Sequence, residues 1–471
     1  MVKNGRFRLS CGVIIVEVLL ALYAALMLVI GILGLRRVRT AEDYLLAGRR
    51  SRGLHIGGSL AATILGASAT LGLAGLAYRR GLTGSWWLLV GALGLTGLLF
   101  LVRRVRAARA YSLPGLLGLW YGPAMRRLSA AFIAVAWLGI VGAQASAAGR
   151  ILAAFLGGHY AAWTLAAGGL FILYTVMGGQ VSVIGTDLPQ LLFIIIGLVG
   201  SAVFGLRAAA GLPGLKAALD PGFFSFPLSP GFSAFDLALL ALVVGSTYLA
   251  GPDMLSRLLC SRDQSSARRG LAMSIAVIVP LAFLIALIGM VARALYPGAS
   301  PEAAFPLLMK GTLPPLLAGL AMLALLSAFL SSADTTLLTL ATVLAVDLAG
   351  LDLDRLGPRR SLGLLRGLTA LAGIAAVLVG LYSGGIIPSL LLAYTIFSGG
   401  LFVPVLAALV GKPMRPQAAI AAAAAGGALA LTGKLLGADP LIAAGFAGCL
   451  AIWLADRLLA GRGAGPDRQI W

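Results

Sequence analysis

Apolar runs of roughly 20 residues recur along almost the whole chain, each long enough to cross a bilayer as a helix. About thirteen can be drawn: 12–35, 54–78, 84–102, 128–156, 160–177, 184–206, 234–257, 271–295, 314–349, 363–382, 385–410, 417–434 and 440–459. With 60% hydrophobic and 11% charged residues among 471, the composition belongs to a polytopic helical membrane protein. The alternating ten-residue segments of a transmembrane barrel do not occur. The expected fold class is all-α, and no composition shift divides the chain, so 1–471 reads as one membrane domain.

The net charge of +20 comes from 36 Lys and Arg against 16 acids. Those basic residues gather in alternate short loops: Arg36 to Arg52, Arg103 to Arg127, Arg257 to Arg269, Arg355 to Arg366, Lys412 with Arg415, and Arg457 to Arg468. This is positive-inside patterning and needs no nucleic-acid partner. It places the N-terminus outside and the C-terminus inside, against the smaller votes of Lys3, Arg6, Arg8, Arg79 and Arg80. The basic start resembles a signal peptide, but no small-residue cleavage site follows and the run continues to Leu35, so it reads as a retained helix. Segments 207–233 and 297–313, rich in Pro and Gly, read as outside loops with a short surface helix.

Chemistry is scarce. Cys11, Cys260 and Cys449 are far apart, and His55 and His159 fall at span ends, so no metal spacing appears. No Walker A loop or nucleophile–base pair is present, which argues against an enzyme. Most acids fall in loops or at span ends; Asp187, Asp253, Asp334 and Asp347 do not, and Glu17 and Arg150 stand in spans without an assigned role. Asp253 precedes Arg257 by four residues and reads as its local helical partner. Asp347 reads as the partner of a loop arginine. Thr186 and Asp187 follow the turn Gly178, Gly179 and either cap a helix or serve a site.

The run Ser331, Ser332, Ala333, Asp334, Thr335, Thr336 and Thr339 carries six polar residues within nine positions of an apolar span. Some of this serves helix–helix contact; the rest marks an ion or substrate path, since polar groups at membrane depth are expensive. The second span, Ser59 to Gly72, is crowded with Gly and small polar residues that weaken a helix. One reading is close helix packing through small residues; the other is a discontinuous helix whose freed carbonyls hold a cation and whose half-helix end faces substrate. Five spans later Gly245, Ser246, Thr247, Tyr248, Gly251 and Pro252 repeat the interruption, as an inverted repeat of five spans requires.

Taken in order, Tyr44 to Arg49, Ala62 to Gly72, Tyr174, Thr175, Gly178, Gly179 with Thr186, Asp187 and Gln190, then Pro252, Asp253, Met254 with Arg257, and Ser331 to Asp334 with Leu337, Leu338 and Asp347 resemble the sodium:solute symporter family over about 41–410. That resemblance implies the five-plus-five leucine-transporter fold: an extra N-terminal helix (12–35), a ten-helix core (54–410) and two peripheral C-terminal helices (417–459). It implies a sodium ion held by carbonyls of Ala62, Leu65 and Ala328 and hydroxyls of Ser331 and Ser332, with Asp187 and Asp334 supporting the ion or its inward exit. Gly66, Ser68, Ala69 and Tyr248 are the substrate-facing candidates. The acid and amide that sugar-transporting members carry after the first break are replaced by Ser68 and Ala69, so hexose is disfavoured. The Gly245 to Arg257 segment resembles proline transporters, although Ile64 stands where those carry an aspartate. The function expected is sodium-coupled import of a small organic solute, an amino acid or carboxylate, across the cytoplasmic membrane. A proton-coupled carrier using Asp334 or Asp187 and a non-transporting solute sensor stand as alternatives; with no signalling module after Trp471, the sensor is disfavoured.

Overall fold

The computed structural model describes residues 2–107, 110–353, 355–382 and 386–460. Expectations placed on Arg109, Asp354, Arg462, Asp467 and Arg468, and on the side chains of Lys3, Arg6, Arg8 and Cys11, lie outside the described residues. The described chain is helical throughout, with two isolated bridges and no strand. Eleven stretches among these residues are long and apolar enough to cross a membrane, against the thirteen drawn from sequence. Two of the eleven, Ser68–Ala107 and Tyr160–Ala208, run 40 and 49 residues. At 1.5 Å per residue both far exceed the ~30 Å hydrocarbon layer, and each contains a turn.

The turn within Tyr160–Ala208 is at Gly179, whose φ of 50° suits glycine. The expected Gly178, Gly179 turn is therefore present, and a Cβ at Gly179 would collide with Tyr44. Tyr44 is fully buried there, its hydroxyl donating to Thr369 at 3.0 Å. The turn within Ser68–Ala107 lies at Gly81–Ser85. The segments read as outside loops carry short helices, Gly211–Ala218 and Pro301–Thr312.

Both expected interruptions are breaks in the backbone. The first half-helix, Gly53–Ile64, ends where the Leu65 N–H returns to the Ala61 carbonyl; the chain resumes as a π-turn at Ser68–Gly72 and a helix at Leu73–Arg80. The second broken helix runs Ala234–Leu240, Ala241–Gly245 and Ser246–Ala250, then extends at Gly251 (ψ 143°) before Pro252–Cys260. Pro252 has no N–H to give, so the helix cannot run through it.

Across these breaks packs the polar helix, Pro315–Thr342, buried along nearly its whole length and lying against Tyr160–Ala208 and Pro123–Leu156. Helix backbones approach closely through glycine, as expected where small residues bring membrane helices together. A Cβ on Gly142 would stand 2.6 Å from the Ala376 carbonyl and 2.9 Å from the Gly380 amide, both backbone atoms that cannot step aside. Gly142→Ala should therefore cost about 1–3 kcal/mol by overpacking, read as a lower melting temperature in detergent; an unchanged value would show that the two helices part easily.

Candidate functional site

The centre of the molecule is built where the two breaks face the polar helix. Ser332 Oγ donates to the Thr63 carbonyl at 2.6 Å, one residue before the first half-helix ends. Gln144, from Pro123–Leu156, accepts the Ala67 N–H at 3.0 Å. Backbone groups freed by a break inside a membrane need such partners. Gly66 lies between them: any Cβ would run into Ser332 Oγ and stand 2.9 Å from the Gln144 amide.

Beside this lies a buried knot of charge, in which Arg257 Nε and Nη1 have no hydrogen-bond partner among the described residues. The Asp187 carboxylate accepts hydrogen bonds from Ser59 and Ser331 and lies 3.8 Å from Arg257 Nη2, with Asp187 and Arg257 both fully buried. Arg257 also donates to the Thr335 hydroxyl, which sits 3.0 Å from Thr63 Oγ1. Asp334 accepts from Tyr174 at 2.7 Å, on the side of Tyr160–Ala208. Four elements thus meet through one polar cluster.

A cavity of about 40 Å³ opens on the other side of the first break, room for about three waters. Gly66, Ser68 and Tyr248 line it, with Ser332 and Thr336 at one wall and Trp137, Gln144, Asp253 and Tyr394 at the others. Of the expected residues, Ala69 is buried nearby without lining it, and Ala62, Leu65, Ala328 and Ser331 are buried around the break. Asp187 and Asp334 stand outside the cavity, in the charged knot.

Some expectations are corrected. Asp253 does not pair with Arg257; it accepts from Trp137 Nε1 at 2.8 Å and faces the cavity. Arg257, counted with the inside-loop cations, is completely buried. Thr186 and Asp187 do not cap a helix: Thr186 Oγ1 donates back to the Val183 carbonyl at 3.0 Å, and Asp187 lies two turns beyond the Gly179 break. Asp347 does take an arginine, Arg126 at 2.7 Å, together with Ser112. Arg150 is exposed over the Tyr160 ring, away from the cavity, and Glu17 is exposed on the first helix. Sequence reading missed Trp137, Gln144 and Tyr394; a lone amide in mid-span was the one available signal, at Gln144.

The sequence profile described as the sodium:solute symporter family matches residues 44–355, well over half the chain. The chain belongs to that family. Sodium is the coupling ion this family shares, and its members are transporters rather than enzymes. Relatives include the sodium/pantothenate symporter of Escherichia coli (strain K12), 27% identical over 354 residues that cover 70% of this chain and 72% of that protein. The sodium/iodide cotransporter of Homo sapiens is 26% identical over 400 residues, 78% of this chain and 62% of the human protein's length. The fold matches a substrate-bound outward-open structure of a Na+-coupled sialic acid symporter with a TM-score of 0.84, at 19% identity and covering 96% and 98% of the two chains. It matches less closely the closed, bromovinylhydantoin-bound Mhp1, a nucleobase-cation-symport-1 family transporter, with a TM-score of 0.61, 12% identity, and 92% and 97% coverage.

The charged knot makes its own test. Removing one member of a buried ion pair leaves the other unpaired, at about 3–5 kcal/mol. Asp187→Asn and Arg257→Gln should each destabilise by that order, while the double variant recovers a large part of it. Unfolding of all three variants against wild type checks this; strictly additive losses would mean the two side chains do not act as a pair.

Proposed function

We propose that this symporter couples inward movement of a small organic solute to sodium at the first helix break. In this reading the ion takes carbonyl oxygens of Ala62, Leu65 and Ala328 and the hydroxyls of Ser331 and Ser332. Hard cations favour all-oxygen sets of this kind. The observation that carries the reading is the Ser332 hydroxyl, which joins the polar helix to the Thr63 carbonyl at 2.6 Å. An ion at that seam would tie the two elements together and favour the access state in which they meet.

The solute would occupy the adjacent cavity against Gly66, Ser68, Ala69 and Tyr248. Ion release would pass Asp187, with Asp334 supporting the path. Residues 12–35 and 417–459 would flank a ten-helix repeat core at 54–410. The membrane would be the cytoplasmic one, with the N-terminus outside, and its potential would contribute about 2.3 kcal/mol per charge per 100 mV to uptake.

The deciding experiment compares melting of purified protein in sodium and in potassium, for wild type and Ser332→Ala. Sodium should raise the wild-type melting temperature, and Ser332→Ala should lose most of that rise. Equal melting in both salts would sink sodium binding here and bring forward proton coupling, for which the Asp334–Tyr174 contact would be the first place to look.

A further inference from the structure

The cavity is lined by one acid and no base. Asp253 is the one charged side chain among the residues that line it, and no Lys, Arg or His joins it there. Arg257, one turn further along and the natural partner by spacing, turns its Nη2 to Asp187 and Thr335 and makes no salt bridge with Asp253, on which it acts only through space. The hydrogen bond that the Asp253 carboxyl accepts comes from a neutral donor, the Trp137 indole N–H at 2.8 Å. Asp253 sits in the first turn of Pro252–Cys260, where the helix dipole favours an acid, but that effect is small and cannot replace a counter-charge. The side chains of Trp137, Tyr248 and Tyr394 line the same small space. A carboxylate among aromatic rings is the chemistry that recognises an ammonium group, through charge pairing and cation–π attraction.

We propose that the solute carries a positively charged nitrogen, a primary or quaternary ammonium, which pairs with Asp253 between Trp137, Tyr248 and Tyr394. This rests on the cavity being the transport site. The sign is opposite to that of pantothenate, iodide and sialic acid, the anions named for the relatives and the matched structure. Any carboxylate the solute also bears is held elsewhere, so a zwitterion fits and a bare carboxylate does not.

The test follows melting of the full chain in sodium buffer with tetramethylammonium, glycine betaine or acetate at matched ionic strength. Both ammonium probes should raise the melting temperature and acetate should not. Asp253→Asn should weaken the apparent affinity for the ammonium probes by roughly thirty-fold or more, as expected when one partner of a buried charge pair is lost, and Asp253→Glu should retain part of it. Stabilisation by acetate without the ammonium probes overturns the proposal in wild type alone, as does no response to any probe. An ammonium response surviving in Asp253→Asn also overturns it. The sodium-against-potassium shift without solute is read separately: its loss in Ser332→Ala with the ammonium response intact leaves this proposal standing. Its loss in Asp253→Asn without any ammonium response would make Asp253 an ion ligand and defeat it.

Discussion

The Asp187 carboxylate is the point on which the central packing depends. It draws a donor from the first broken helix at Ser59, one from the polar helix at Ser331 and a guanidinium from the second broken helix at Arg257. A carboxylate at this depth cannot fall back on water, so each donor lost leaves an expensive unpaired group. Three elements that share no sequence neighbourhood are thereby held in one register. The ion pair, at 3.8 Å, is the longest of those links, and the guanidinium leans also on Thr335.

Broken helices are permitted here only because side chains take up the freed backbone groups. Gln144 takes the Ala67 N–H, and Thr63 O is met by Ser332. Glycine at 66 keeps the gap narrow enough for both to reach. At the second break the solution is different: Gly251 extends and Pro252 offers no donor to leave orphaned. The two interruptions thus reach a similar outcome by separate chemistry, partner side chains at one and a missing N–H at the other.

Much of this was legible from sequence because it is local. Hydropathy runs mark the spans, Gly66 and Gly251–Pro252 mark weak points, and the hydroxyls at 331 and 332 stand out against an apolar background. Gly178 and Gly179 gave the turn that divides the 49-residue helix. What stayed hidden depends on how the breaks aim the chain beyond them. Asp253 and Arg257, four apart, look like a helical pair on any wheel. The break at Gly251 starts a new half-helix, and tertiary contacts then send the acid to Trp137 and the base to Asp187. Trp137 and Tyr394 carry no local mark at all, since an aromatic in an apolar span is indistinguishable from packing until its neighbours are known.

The charge balance at the centre limits what can pass. Between the broken helices and the polar helix stand three acids, Asp187, Asp253 and Asp334, and one base, Arg257. Asp187 holds the arginine; Asp253 and Asp334 have neutral hydrogen-bond donors, Trp137 and Tyr174. Unit charges at 4 Å interact by about 4 kcal/mol even at an effective dielectric of 20, so wherever Asp253 or Asp334 is ionised an arriving cation lowers the energy of this centre and an arriving anion raises it. An excess of acids over bases would act before any specific contact forms, and it would set one sign of preference on the ion at the break and on a solute in the adjacent cavity.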